Sequence, residues 1–229
     1  PACDCGKYLE IWNDVFMEYY RDENGNLTKL AQQNVDTGMG LERTITVLNG
    51  LESVYDSDVF ANLKAKLEEL TGKNYEDNKK SFRIIMDHVR TSTFILGDDH
   101  AITPSNVGAG YVLRRLIRRA IRHLRELGLM EDALVKLADV VINDYKDIYN
   151  ELERNKEFIH HELENEGIKF GKTIKDGEKL FYKVIKHLDG TTISGADAFK
   201  LFDTFGFPLE MTEELARENN LTVDVAGFN

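Results

Sequence analysis

The chain has 229 residues, 42% of them hydrophobic and 30% charged, which is enough for one large core or two modest ones and too apolar for a disordered polymer. A net charge of −11 excludes an all-over nucleic-acid coat, so any basic block must act locally. No apolar run reaches the ~18 residues of a membrane span and no secretory segment opens the chain, so a cytoplasmic protein without a membrane partner is expected.

Cys3 and Cys5 stand too close to staple a fold. They are expected as reduced thiols, and as half of a zinc site at most, with no second pair to complete it. Residues 7–21 (KYLEIWNDVFMEYYR) are rich in aromatic and β-branched side chains on both parities, which predicts a strand buried on both faces. Residues 22–26 supply an Asn-Gly turn, and residues 27–30 are expected to pair back. Residues 35–43 (VDTGMGLER) read as a strand end running through glycines into a helix. Glycines let a flat ligand approach the backbone, a helix N-terminus favours anions, and Arg43 reaches a phosphate from there. The same residues also fit an ordinary strand–helix turn in which Asp36 or Thr37 is the N-cap.

From about residue 55 the periodicity turns helical. Asp56 or Ser57 is expected to cap a helix stopped by Gly72, and a second helix carries Phe82, Ile85, Met86, Val89 and Phe94. Residues 110–125 (GYVLRRLIRRAIRHLR) form the most informative helix. Val112, Leu113, Leu116, Ile117, Ala120, Ile121 and Leu124 mark one buried face. Arg114, Arg118 and Arg122 line the other side at i, i+4 and i+8, flanked by Arg115 and Arg119. Like charges at this spacing disfavour a helix, so an offsetting partner is expected: phosphates, which the guanidinium fork binds bidentately, or carboxylates elsewhere in the chain. Long helices are expected over residues 131–150 and 151–187, then a helix capped by Ser194 and ended by Gly206, and a short one from Thr212. His88, His123 and the adjacent pair His160–His161 read as packing or surface residues rather than metal ligands. Asp98, Asp99 and His100 read as a helix-ending loop. The organisation is α+β: an antiparallel β-hairpin piece over residues 1–55, then a mainly α-helical domain over residues 56–229.

Taken together, residues 36–43 (DTGMGLER) resemble the third signature motif of the class II aminoacyl-tRNA synthetases, in the form of the alanyl-tRNA synthetase branch. Three further blocks are similar in the same order: residues 10–17 (EIWNDVFM), residues 104–106 (PSN) running on to residues 114–119 (RRLIRR), and residues 201–208 (LFDTFGFP). The resemblance implies an ATP- and Mg2+-dependent ligase that activates alanine and transfers it to tRNA(Ala). It implies that Arg43 clamps the ATP γ-phosphate, that Gly38 and Gly40 let the adenine lie on the backbone, that Asp36 binds the alanine ammonium, that Asn13 orients it, and that Trp12 walls the pocket. It further implies that Asn106 and Asp203 read a G·U wobble pair in the acceptor stem while Arg114, Arg115, Arg118 and Arg119 hold flanking phosphates. Zinc is not expected within this stretch. The first two class II signatures should precede residue 1, so the chain is expected to be a fragment inactive alone, with a stand-alone RNA-binding module as the alternative.

Overall fold

A computed structural model describes residues 7–228; the expectations for Cys3 and Cys5 lie outside them. The chain divides into two units, with the boundary between Ala61 and Asn62.

In the first unit β1 (Trp12–Arg21) pairs antiparallel with β2 (Leu27–Met39). The turn is fixed by Asp22, whose Oδ1 accepts from the amides of Asn24 and Asn26 at 2.9 and 2.8 Å, while Gly25 takes φ +84, a left-handed conformation only glycine adopts cheaply. The second strand is longer than the expected residues 27–30 and absorbs Val35, Asp36 and Thr37, so neither Asp36 nor Thr37 caps the helix that follows. Gly40 occupies the N-cap of α1 (Leu41–Leu48). The strand expected to be buried on both faces is exposed on both: Trp12, Phe16, Tyr19 and Tyr20 all lie open, as does Val35 of β2. Two strands alone cannot cover a sheet face.

The second unit is helical and holds the core. Its helices are α2 (Ala61–Thr71), α3 (Lys79–Gly97), α4 (Gly108–Glu126), α5 (Ala133–Tyr145), α6 (Asn150–Arg154), α7 (Lys156–Lys186), α8 (Gly195–Phe205), α9 (Leu209–Glu218) and α10 (Val225–Phe228). A two-residue parallel bridge joins β3 (Thr192–Ile193) to β4 (Thr222–Val223). The apolar face of α4 predicted from periodicity is buried at Leu113, Ile117, Ala120, Ile121 and Leu124, although Val112 remains exposed. It meets Phe82, Ile85, Met86 and Val89 of α3, all buried. Left-handed glycines end the helices where the sequence places them: Gly72 after α2, Gly128 after α4 and Gly206 after α8. Ser194 caps α8 by accepting from the Asp197 amide at 3.1 Å. α9 starts at Leu209 rather than Thr212, with Pro208 at its N-cap, because the proline ring pre-sets the entry and its missing N–H is no loss there. The helix capped at Asp56 or Ser57 instead begins at Ala61, after two short 3-10 turns. No described helix is long and apolar enough to cross a membrane.

Candidate functional site

Strand alternation sorts the first unit's candidates. Asn13 pairs with Gly38 and Val15 with Asp36, and directly opposed residues of an antiparallel ladder share a face. Asn13, Val15, Asp36 and Gly38 therefore form one patch, with a carboxylate and an amide two rungs apart. Val15 was not singled out from the sequence; only the register places it there. Trp12 falls on the opposite face, where its indole donates to Thr37 Oγ1, which separates it from Asn13 and Asp36. The backbone then turns at Gly40, whose amide donates to Ile11 O at 3.0 Å. Arg43 is exposed in the first turn of α1, its Nη1 donating to Glu10 O at 2.7 Å. A Cβ on Gly40 would stand 3.3 Å from Arg43 Nε, whereas one on Gly38 would meet nothing within 4 Å. Gly40→Ala is therefore expected to displace the Arg43 side chain, and Gly38→Ala to leave the apo hairpin unchanged; the NMR chemical shift of Arg43 Nε–Hε is the check. Among the described residues no group of three His, Cys, Asp or Glu side chains gathers as a metal cage.

In the second unit the arginines of α4 have found carboxylates. Glu166 of α7 is 2% exposed and takes Arg118 Nε at 2.6 Å and Arg114 Nε at 3.2 Å. Glu214 of α9 faces Arg119 at 2.9 Å, Arg122 at 3.5 Å and Lys80 of α3 at 3.3 Å. Arg122 also pairs with Glu218 and, at 2.7 Å, with Glu126; Arg125 pairs with Glu131 at 2.9 Å. The outward stripe expected to await phosphates is thus mostly an interhelical clamp. The cause is burial: α7 and α9 close over α4, and guanidinium groups taken out of water need partners. Arg115 and Arg119 keep 35% and 39% of their side-chain surface; Arg114, Arg118 and Arg122 keep 15% or less.

The clamp positions the reader candidates. Asn106, exposed just before α4, has its Oδ1 hydrogen-bonded by the Arg114 guanidinium, and Arg114 Nη2 also donates to Pro104 O at 3.2 Å. A guanidinium only donates, so the orientation of the Asn106 amide is set, and both of its N–H donors remain for an acceptor. Asp203 is exposed in the last turn of α8. That turn adjoins α4 through the Tyr111–Phe202 ring contact, with centroids 6.3 Å apart, and through Arg118, which donates to Gly206 O. Two more of the sequence candidates are held locally: His160 meets Asp139 at 3.0 Å, and Asp99 meets Arg154 at 2.6 Å.

His123, expected as a packing or surface residue, is fully buried, but it sits in a charged nest. Its Nδ1 lies 2.7 Å from Glu126 Oε2 and 3.0 Å from Ser81 Oγ, and its Nε2 lies 3.5 Å from Glu214 Oε1; Lys80, Arg119, Arg122 and Glu218 surround the group. Burial would push the imidazole down, but the two carboxylates outweigh it and raise the pKa above the ordinary 6.5. Burial would likewise push Glu214 up, yet hydrogen bonds from His123 and Arg119 hold it far below the carboxylate range. A raised histidine contributes stability that is complete below its unfolded pKa and is lost as pH climbs through its folded one; a depressed glutamate contributes stability that is lost on acidification. Urea resistance is therefore expected to fall as pH rises above about 6.5 and again as it drops below about 4.5. Denaturation midpoints that are flat from pH 6 to 9 would contradict the charged imidazole.

A family model described as tRNA synthetases class II (A) matches residues 1–229. The chain is similar to an alanine–tRNA ligase of Borrelia hermsii, 53% identical over 230 residues that cover 99% of this chain and 39% of that protein. It is similar to one of Treponema pallidum, 52% identical over all of this chain and 39% of the relative, and to one of Natranaerobius thermophilus, 45% identical over all of this chain and 26% of the relative. The chain thus spans about 39% of the length of the first two of these relatives. With one class II signature and three further similar blocks in order, and its whole length matched, the chain belongs to the class II (A) family of tRNA synthetases.

Proposed function

We propose that the chain belongs to an alanine–tRNA ligase, that its hairpin unit contributes to the alanine and ATP site, and that its helical unit reads the acceptor stem of tRNA(Ala). In that reaction the alanine carboxylate forms a bond to the α-phosphorus of ATP as the bond to pyrophosphate breaks, and a terminal ribose hydroxyl of the tRNA then takes the alanyl group as its bond to AMP breaks and AMP leaves. The face shared by Asn13 and Asp36 supports the amino-acid end of this reading, because a cationic ammonium needs a charge-assisted acceptor. Gly38, open above its backbone, and Arg43, exposed at the head of α1, suit the adenine and polyphosphate. Magnesium would come with the phosphates and offset their charge. Such catalysis consists of positioning and charge neutralisation, and one guanidinium is little neutralisation for a triphosphate. The chain alone is therefore proposed to bind RNA without activating alanine; ATP–pyrophosphate exchange above blank would contradict that.

The observation that carries the RNA reading is the exposed Asn106 amide, its Oδ1 held by Arg114 at the start of α4, together with the exposed carboxylate of Asp203 in the last turn of α8, a turn that touches α4 through Tyr111 and Phe202. A G·U pair presents a guanine amine, which donates, and a uracil carbonyl, which accepts, in the wide minor groove of A-form RNA. Asp203 matches the amine and Asn106 the carbonyl. Arg114 and Arg118 are then positioning residues, and Arg115 and Arg119 the ones exposed enough to touch phosphates. Filter binding of minihelices carrying G·U or G·C at two salt concentrations tests this: tighter retention of the G·U form is expected, and retention of neither would support a protein-interaction scaffold instead.

A further inference from the structure

A cleft of about 240 Å³ opens between α3, α4 and α9. It is lined by Arg115 and Arg119 from α4 and Arg217 from α9, by the carboxylates Glu210 and Glu214, and by the apolar Leu116 and Met211. Three guanidiniums against two carboxylates make a locally positive cavity in a chain of net charge −11.

The three cations differ in availability. Arg119 is held on both sides, bidentate on Glu214 at 2.9 and 3.1 Å and with Nη1 3.4 Å from His88 Nε2. Arg115 pairs with Glu210, but both side chains are a third to a half exposed, so water competes for the pair and it yields easily to a stronger anion. Arg217 is exposed, and among the described residues its guanidinium has no hydrogen bond or ion pair, while its backbone carbonyl accepts from the Asn220 amide at 3.1 Å. The result is one fixed charge and two movable ones beside apolar side chains, which suits a tetrahedral anion attached to a sugar ring better than a bare ion. Between Arg115 and Arg119 the helix advances about 6 Å, within two phosphate steps of a duplex strand, which carries a charge every ~3.4 Å of axis.

We propose that this cleft seats a backbone phosphate and its ribose from the RNA duplex, with Arg217 and Arg115 closing on the phosphate and Leu116 and Met211 under the sugar. The inference rests on the RNA reading above and extends it to a contact that carries no sequence information. A fluorescein-labelled acceptor-stem minihelix is titrated by anisotropy with the chain, with Arg217→Gln and, as a control, with Arg154→Gln, which removes another exposed arginine, one paired with Asp99. Arg217→Gln is expected to weaken binding of the G·U and G·C forms alike, on the order of fivefold, and to lower the slope of log affinity against log salt by about one; Arg154→Gln should change neither. An Arg217→Gln chain that binds with unchanged affinity and slope overturns the cleft while leaving the Asn106 and Asp203 reading intact. An unaltered chain that binds no minihelix overturns both.

Discussion

Replacing Glu166 with alanine is expected to cost the helical unit about 3–5 kcal/mol. The carboxylate is 2% exposed and is shared by Arg118 and Arg114, themselves 13% and 15% exposed. Its removal leaves two largely buried guanidiniums with neutral acceptors but no counter-ion, and a buried charge without its opposite is far more harmful than the pair was beneficial. Glu210→Ala removes the partner of Arg115 in the same ladder of contacts, but at a half-exposed position, where pairs contribute about 0–1 kcal/mol. The two variants separate burial from mere salt-bridge counting. Urea midpoints followed by circular dichroism provide the test, and near-equal losses for Glu166→Ala and Glu210→Ala would show that the α4–α7 seam is not the clamp described.

The second large effect concerns recognition. Asn106→Ala is expected to erase the preference for G·U over G·C minihelices, about 1–3 kcal/mol or roughly 5- to 150-fold, while leaving the salt dependence unchanged because no phosphate contact is lost. Asp203→Ala should act in the same way. Arg114→Lys should reproduce part of the loss without touching the base pair, since an ammonium lacks the planar fork that holds Asn106 and Pro104 together. Discrimination retained in full by Asn106→Ala would remove the reader assignment.

Much of this architecture is written in the chain. The 3.6-residue period of α4, the Asn-Gly turn, the Ser194 cap and the glycine stops all appear where local chemistry requires them. The destination of the arginines does not, because it depends on which distant surface folds over α4. A clue was nevertheless present. Glu210, Glu214 and Glu218 recur at i, i+4 and i+8 on α9, the same pitch as the arginines, and two such ladders of opposite sign on neighbouring helices would be expected to mesh. Taken singly, each of these acids looks like an ordinary solvated residue of a short helix. Glu166 was less legible still, one acid among many on a 31-residue helix. The exposed hairpin defeats periodicity for a different reason: composition reports that side chains want burial, and cannot report whether anything covers them. Val15 entered the site patch and Trp12 left it through register alone, a relation between two strands that neither strand encodes by itself.

The hairpin also determines how the chain should behave in a test tube. Among the described residues each of its strands has a partner on one side only, so rows of main-chain donors and acceptors run along both margins beside Phe16, Tyr20 and Val35. Such margins recruit any extended peptide they meet, another copy included. Crowding the chain, or adding sulfate, which strengthens apolar association, therefore favours sticking between molecules through the ribbon while the helical core stays folded. Precipitation in concentrated samples would report on these strands, not on the stability of the bundle.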